Sequence, residues 1–152
     1  VDPVQIGLPD VAGRLDPRMG GPSFKDFVVE HPEHSPHYEY ALHDPEDPTS
    51  HRRSVYRFLV RSQPQPMMAA LDCADPSISV DRRNETLNAL QALALMNQKL
   101  AVAMSRHWAA RLQNQTPVAS EQVSLAMRQA FGRGPGPEEA EALVRHTERN
   151  MP

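Results

Sequence analysis

The sequence predicts a mainly α domain: helices gathered around one buried central helix, preceded by a long Pro-rich irregular half with at most one short strand or hairpin. Three observations carry this. Between Leu87 and Met96 only Asn88 and Gln91 are polar, so apolar residues fall on every side of a helical wheel, the pattern of a helix buried on most of its surface. Eleven of the 15 prolines lie at or before Pro76, none from Ser77 to Thr116, and four from Pro117 onward. Apolar residues recur at three- and four-residue steps only in the second half. Proline breaks helix interiors, so residues 1–76 read as a wrapping region and 77–152 as the helical core of a single domain, 1–152.

The elements follow in order. Leu8 to Leu15 suits one or two helical turns with Pro9 at the first position, stopped by Asp16-Pro17. Met19-Gly20-Gly21-Pro22 is a turn by composition. Residues 23–50 read as a loop with one extended piece at His37–Leu42. A loop of that length either wraps the helices or carries function. Ser54–Arg61 is the best strand candidate, because Tyr56, Phe58 and Val60 alternate, while a short helix through Val55, Phe58 and Leu59 is the other reading. Met67–Leu71 suits a single helical turn. Thr86 fits the N-cap of the central helix, and Asn97 that of a second helix over about Gln98–Leu112, striped by Leu100, Met104, Trp108 and Leu112. A third helix opens at Thr116 or Ser120 and buries Val123, Ala126, Met127, Ala130 and Phe131. Gly132 fits the left-handed closing position. A fourth begins at Pro137 with Glu138 and Glu139 in its first turn and an inner face of Ala140, Leu143, Val144 and Thr147.

Charge divides the chain as proline does. Residues 1–50 hold ten acids and three bases, and the remainder nine and thirteen, which favours packing of one half on the other. A net charge of −3 counts against nucleic acid as the main partner. The run at 87–96 is too short for a bilayer, which takes about 20 apolar residues. Cys73 is the single cysteine, so an internal disulfide framework and a Cys-x-x-Cys-His haem attachment are both excluded. The start at Val1, with neither an apolar signal segment nor a transmembrane run, reads as a piece of a longer polypeptide.

Several stretches together resemble a known family. They are Arg14 to Pro22, Arg52-Arg53-Ser54-Val55-Tyr56-Arg57-Phe58, Pro66-Met67-Met68 with Asp72, Arg82-Arg83-Asn84-Glu85-Thr86, Leu90-Gln91-Ala92-Leu93, Leu95-Met96-Asn97, and Ala130 to Glu139. In order and spacing the chain resembles the planctomycete domain of unknown function 1553 over nearly its whole length. It departs at the N-terminus, where the helix expected before Leu15-Asp16-Pro17 is truncated. The resemblance implies the C-terminal domain of a large exported protein, periplasmic or extracellular, that also carries a cytochrome c domain. It further implies that the partners are upstream domains of the same polypeptide, with haem c in one of them and no cofactor in this chain. The function so implied is a structural or interaction module linked to redox or polysaccharide processing.

Two constellations could carry chemistry. His31, His34 and His37, followed by His43, Asp44 and His51, offer metal-ligand types in a loop, where a solvated loop without a metal is the simpler reading. Arg52, Arg53, Arg61, Asp72, Asp75, Asp81, Arg82, Arg83 and Glu85 flank the central helix. As bidentate Arg–carboxylate pairs they would pin connectors to helices. As a cleft they would form a carboxylate-based hydrolase site, with Asp72 and Asp75 as acid and base beside Arg52, Arg53, Arg82 and Arg83. Ser54, Ser77, Ser79 and Cys73 lack a nucleophile elbow or adjacent base. Gly132–Gly136 lacks the Lys of a phosphate loop and reads as a helix connector.

Overall fold

The computed structural model describes residues 3–31, 35–73, 78–79, 81, 86 and 88–150. Its architecture is mainly α with one two-stranded antiparallel hairpin.

Helix α1 (Pro3–Val11) is longer than the sequence suggested and carries Pro9 inside it rather than at its start. The Pro9 carbonyl accepts from Arg14 and Leu15 at 2.8 and 3.1 Å, which turns the chain out of the helix. The next stretch is held by one side chain. The buried Arg52 guanidinium donates to the carbonyls of Gly20 at 2.6 Å, Pro22 at 2.9 Å and Arg18 at 3.4 Å. It also lies 4.4 Å from the centre of the Tyr56 ring, a favourable place for a cation. Three carbonyls can converge on one guanidinium because Gly20 and Gly21 take φ of +73° and +80°, values a Cβ opposes. Backbone bonds Asp16 N–H to His51 O (2.8 Å), Phe24 N–H to Tyr56 O (3.0 Å) and Phe58 N–H to Phe24 O (2.8 Å) lay the two segments side by side.

Strands β1 (Val28–Glu30) and β2 (His37–Glu39) pair with Val29 opposite Tyr38. The Gln63 amide acts as a short surrogate strand: its Nε2 donates to Tyr38 O at 2.8 Å, while the Tyr40 hydroxyl donates to Gln63 O at 2.9 Å. Beneath the hairpin the Phe27 ring meets Tyr38, Tyr40 and Phe58 edge-on at 5.2, 5.5 and 6.0 Å. Three 3-10 turns follow, Tyr40–Leu42, Pro48–Ser50 and Ser54–Tyr56. The strand expected over Ser54–Arg61 is therefore replaced by a turn and a single bridge from Arg57 to Phe24. The alternation misled because the side chains this run buries are Ser54 and Arg57, whereas Phe58 and Leu59 are exposed.

Helix α2 (Pro66–Ala70) forms as expected, capped by the Gln65 side chain and burying Met67 and Met68. Helix α3 (Ala89–Asn97) is capped by Asn88 and Gln91, each accepting the other's backbone N–H, rather than by Thr86. Its burial is the main correction. No residue of α3 is buried, and Leu90, Leu93 and Met96 are 72%, 56% and 76% exposed. The centre belongs to α4 (Lys99–Gln115), which touches α1, α3 and α5 (Ala119–Phe131). Met104 of α4 is 1% exposed and packs with Ala12 and Ala103, flanked by Leu8, Leu100 and Trp108. Small residues at Ala12 and Ala103 let α1 approach α4 closely, and that contact fills the place assigned from sequence to α3.

The N-cap of α4 is Gln98, not Asn97. At the α4–α5 elbow the Thr116 hydroxyl donates to Glu121 and Gln122 Nε2 donates to Thr116 O at 2.8 Å. Val123 and Met127 are buried as expected, but Ala130 and Phe131 are exposed. Gly132 closes α5 at φ +68°. Helix α6 (Pro137–Asn150) starts at Pro137 and packs on α5. Arg133 grips Glu139 at 2.7 and 2.8 Å, and the same carboxylate accepts from Gly136 N–H at 2.9 Å.

Two predictions follow from these contacts. Arg52→Met orphans carbonyls that the guanidinium satisfies, and urea unfolding should show a loss of about 3 kcal/mol. The Arg133 and Gly136 donors hold the Glu139 carboxyl down at about 2. A depressed pKa gives stability that is present above the unfolded value and lost as pH falls through the folded one. Carbon-detected titration should place the Glu139 midpoint near 2, and Glu139→Gln should weaken α6 at neutral pH with no difference in strong acid.

Candidate functional site

The 3-10 turn after β2, the start of α2 and the α3–α4 junction enclose a cavity of about 320 Å³. Its polar lining includes Asp26, Tyr40, His43, Gln65, Gln98 and Lys99. Asp26 sits there because its neighbours Phe24 and Phe27 are both buried, which carries the acid inward between them. Only 8% of Asp26 is exposed. Its Oδ2 lies 3.4 Å from the Arg57 guanidinium, long for a hydrogen bond, so charge does most of the holding. Oδ1 has no hydrogen-bond partner, and neither does Nε2 of His43. Burial pushes the Asp26 carboxyl above the usual carboxylate range, and the Arg57 charge pulls back against it. The Tyr40 phenol is raised by its own burial and then by Asp26.

The start of α4 also lines the cavity. This helix has 17 residues, and the side chain of its N-cap residue Gln98 makes no capping hydrogen bond. Lys99 is fixed at the rim by donating from Nζ to Ala41 O at 2.7 Å. The cavity therefore joins a buried carboxylate to a helix end that favours negative charge.

The residues singled out from sequence are distributed differently. Arg52 is occupied by its three carbonyls and Tyr56, and Arg53 is half-buried beside it. Asp72 adopts φ +57°, and its Oδ2 accepts from Thr86 N–H at 2.8 Å, Thr86 Oγ1 at 2.6 Å and Gln91 Nε2 at 2.9 Å. Arg52 and Asp72 thus share none of these partners. Asp75, Arg82, Arg83 and Glu85 lie outside the described residues, as does His34. His31 and His37 are exposed. His51 is buried and bonds through Nε2 to Pro45 O at 2.7 Å, which requires the proton on Nε2. Among the described residues no group of three or more His, Cys, Asp or Glu could hold a metal ion. No helix there is long and apolar enough to cross a membrane.

A family model described as PSD1, protein of unknown function (DUF1553), matches residues 7–147. The chain belongs to the PSD1 family. Neither a curated protein nor a solved structure matches it. The family match takes in every residue named at the cavity of this PSD1 domain, including His43, which the sequence had suggested only as a metal ligand, and Asp26 and Lys99, which it had not assigned to a site. For Asp26 a signal existed: an acid two residues after one phenylalanine and just before another is carried inward when both rings are buried.

In this PSD1 domain the raised Asp26 pKa has a definite sign. The folded state binds that proton more tightly than the unfolded chain, so the contribution of Asp26 to stability is fully present below the unfolded value of about 3.8 and is lost as pH rises through the folded pKa. Carboxyl-carbon titration should find the Asp26 midpoint above that of the exposed aspartates, and Arg57→Gln should raise it further.

Proposed function

We propose that this PSD1 domain is a structural and interaction module that docks through α3 onto upstream domains of a large exported polypeptide. The observation that carries the reading is the exposure of Leu90, Leu93 and Met96 on a helix with no charged residue between Ala89 and Asn97. Their three-residue steps keep them near one face over two turns. Contiguous exposed apolar surface of this kind marks interaction sites, and the lack of charge suits an interface that stays closed. The helix is presented firmly, since its cap residue Gln91 is also bonded to Asp72 at 2.9 Å. The occupant is an apolar surface of the preceding polypeptide, in keeping with the C-terminal place that the family resemblance implies. A periplasmic or extracellular setting, redox or polysaccharide work, and haem c in a separate domain belong to the same proposal. The alternative, a carboxylate-based hydrolase site, would first have to release the Asp72 carboxylate from its bonds to Thr86 and Gln91.

The test is Leu90→Asp with Leu93→Asp. In the isolated chain these surface changes should move the unfolding free energy by no more than about 0.5 kcal/mol. In the longer polypeptide, hydrogen exchange of the α3 amides should be slow in the natural sequence and fast in the double variant. Equal exchange of α3 in the isolated chain and in the longer protein would overturn the reading.

A further inference from the structure

The cavity at Asp26 is lined by groups with opposite chemical preferences. Asp26, 8% exposed, keeps an oxygen without a hydrogen-bond partner among the described residues. Leaving a buried polar atom unpaired is unfavourable, and Nε2 of His43 is unpaired there as well. Gln98, Lys99 and Leu100 at the start of α4 also line the cavity, and the Gln98 side chain makes no capping hydrogen bond. A long helix start and an adjacent ammonium attract a carboxylate or another anion. Phe24, Pro66 and Met67 add apolar wall. A volume of about 320 Å³ falls at the small end of ligand pockets.

A ligand that satisfies both Asp26 and the start of α4 carries an anion and, a few bonds away, a hydrogen-bond donor. That donor is better a hydroxyl than an ammonium, because Arg57 already places a cation 3.4 Å from Asp26 and Lys99 supplies another at the rim. We propose that this cavity binds a hydroxylated carboxylic acid about the size of one sugar-acid unit, its carboxylate at the start of α4 and a hydroxyl donating to Asp26.

The experiment titrates the chain with D-glucuronate, D-glucose and acetate, read by amide chemical shifts and calorimetry. D-glucuronate should shift the amides of residues 99–101 and 40–43, and should bind more tightly than either single-feature probe. Lys99→Gln, an exposed change, should weaken D-glucuronate by about threefold while leaving the dispersion of the spectrum intact. Asp26→Asn should also weaken it. If that variant fails to fold, Lys99→Gln decides alone. Unchanged shifts with D-glucuronate, equal affinity for acetate or D-glucose, or unchanged affinity in Lys99→Gln would each overturn the proposal. None of these results bears on the exchange of α3, so this idea and the docking reading can fail separately.

Discussion

The first half of the chain depends on one buried cation above all, that of Arg52. A stretch this rich in proline and acid has little apolar surface with which to hold itself, and the Arg52 guanidinium supplies the organising contact instead. Its bonds to the carbonyls of Arg18, Gly20 and Pro22 join positions about thirty residues apart. A guanidinium presents several donors in a fixed fork, so one side chain sets the path of a whole loop. Bridges at Asp16–Arg52 and Phe24–Arg57 then become possible, and Phe24 in turn delivers Asp26 to the cavity. The arginine suggested from sequence as part of a catalytic set is thus engaged in holding the loops.

The two halves meet mainly through side chains reaching backbone carbonyls. Lys99 donates to Ala41 O and Arg111 to Val11 O, at 2.7 and 3.0 Å. The opposite net charges of the halves contribute less than their size suggests. Among the described residues, the carboxylate of Glu46 meets the His107 ring across them at 2.6 Å. Apolar contact does the rest where Ala12, just after α1, lies on Ala103 and Met104 of α4.

What was legible in the sequence was local. Pro66, Gly132 and Pro137 mark helix boundaries through backbone restrictions that act within a residue or two, and α2, α4, α5 and α6 lie close to where those marks put them. What was not legible depended on partners distant in sequence. A helical wheel states that α3 is apolar; it does not state which surface covers it, and in this chain α1 takes the face of α4 that matters. The alternation at Tyr56, Phe58 and Val60 concealed that Arg57 is the buried member of the run. The cavity residues were hidden for the same reason, since Asp26 and Lys99 come to line one cavity only after the loops have closed around Arg52.

The aromatic residues divide as the architecture does. Trp108 is the only tryptophan, and the three tyrosines, Tyr38, Tyr40 and Tyr56, all belong to the first half. The indole flanks the α1–α4 contact, and its N–H reaches Gln129 of α5 at 2.8 Å, so its emission reports the assembly of the helices. Tyr40 reaches Gln63, and Tyr56 lies against Arg52, so phenolic absorbance reports the wrapping loops. The molecule thus carries two native optical labels, one for each half, and the order in which the halves form can be followed without adding a dye.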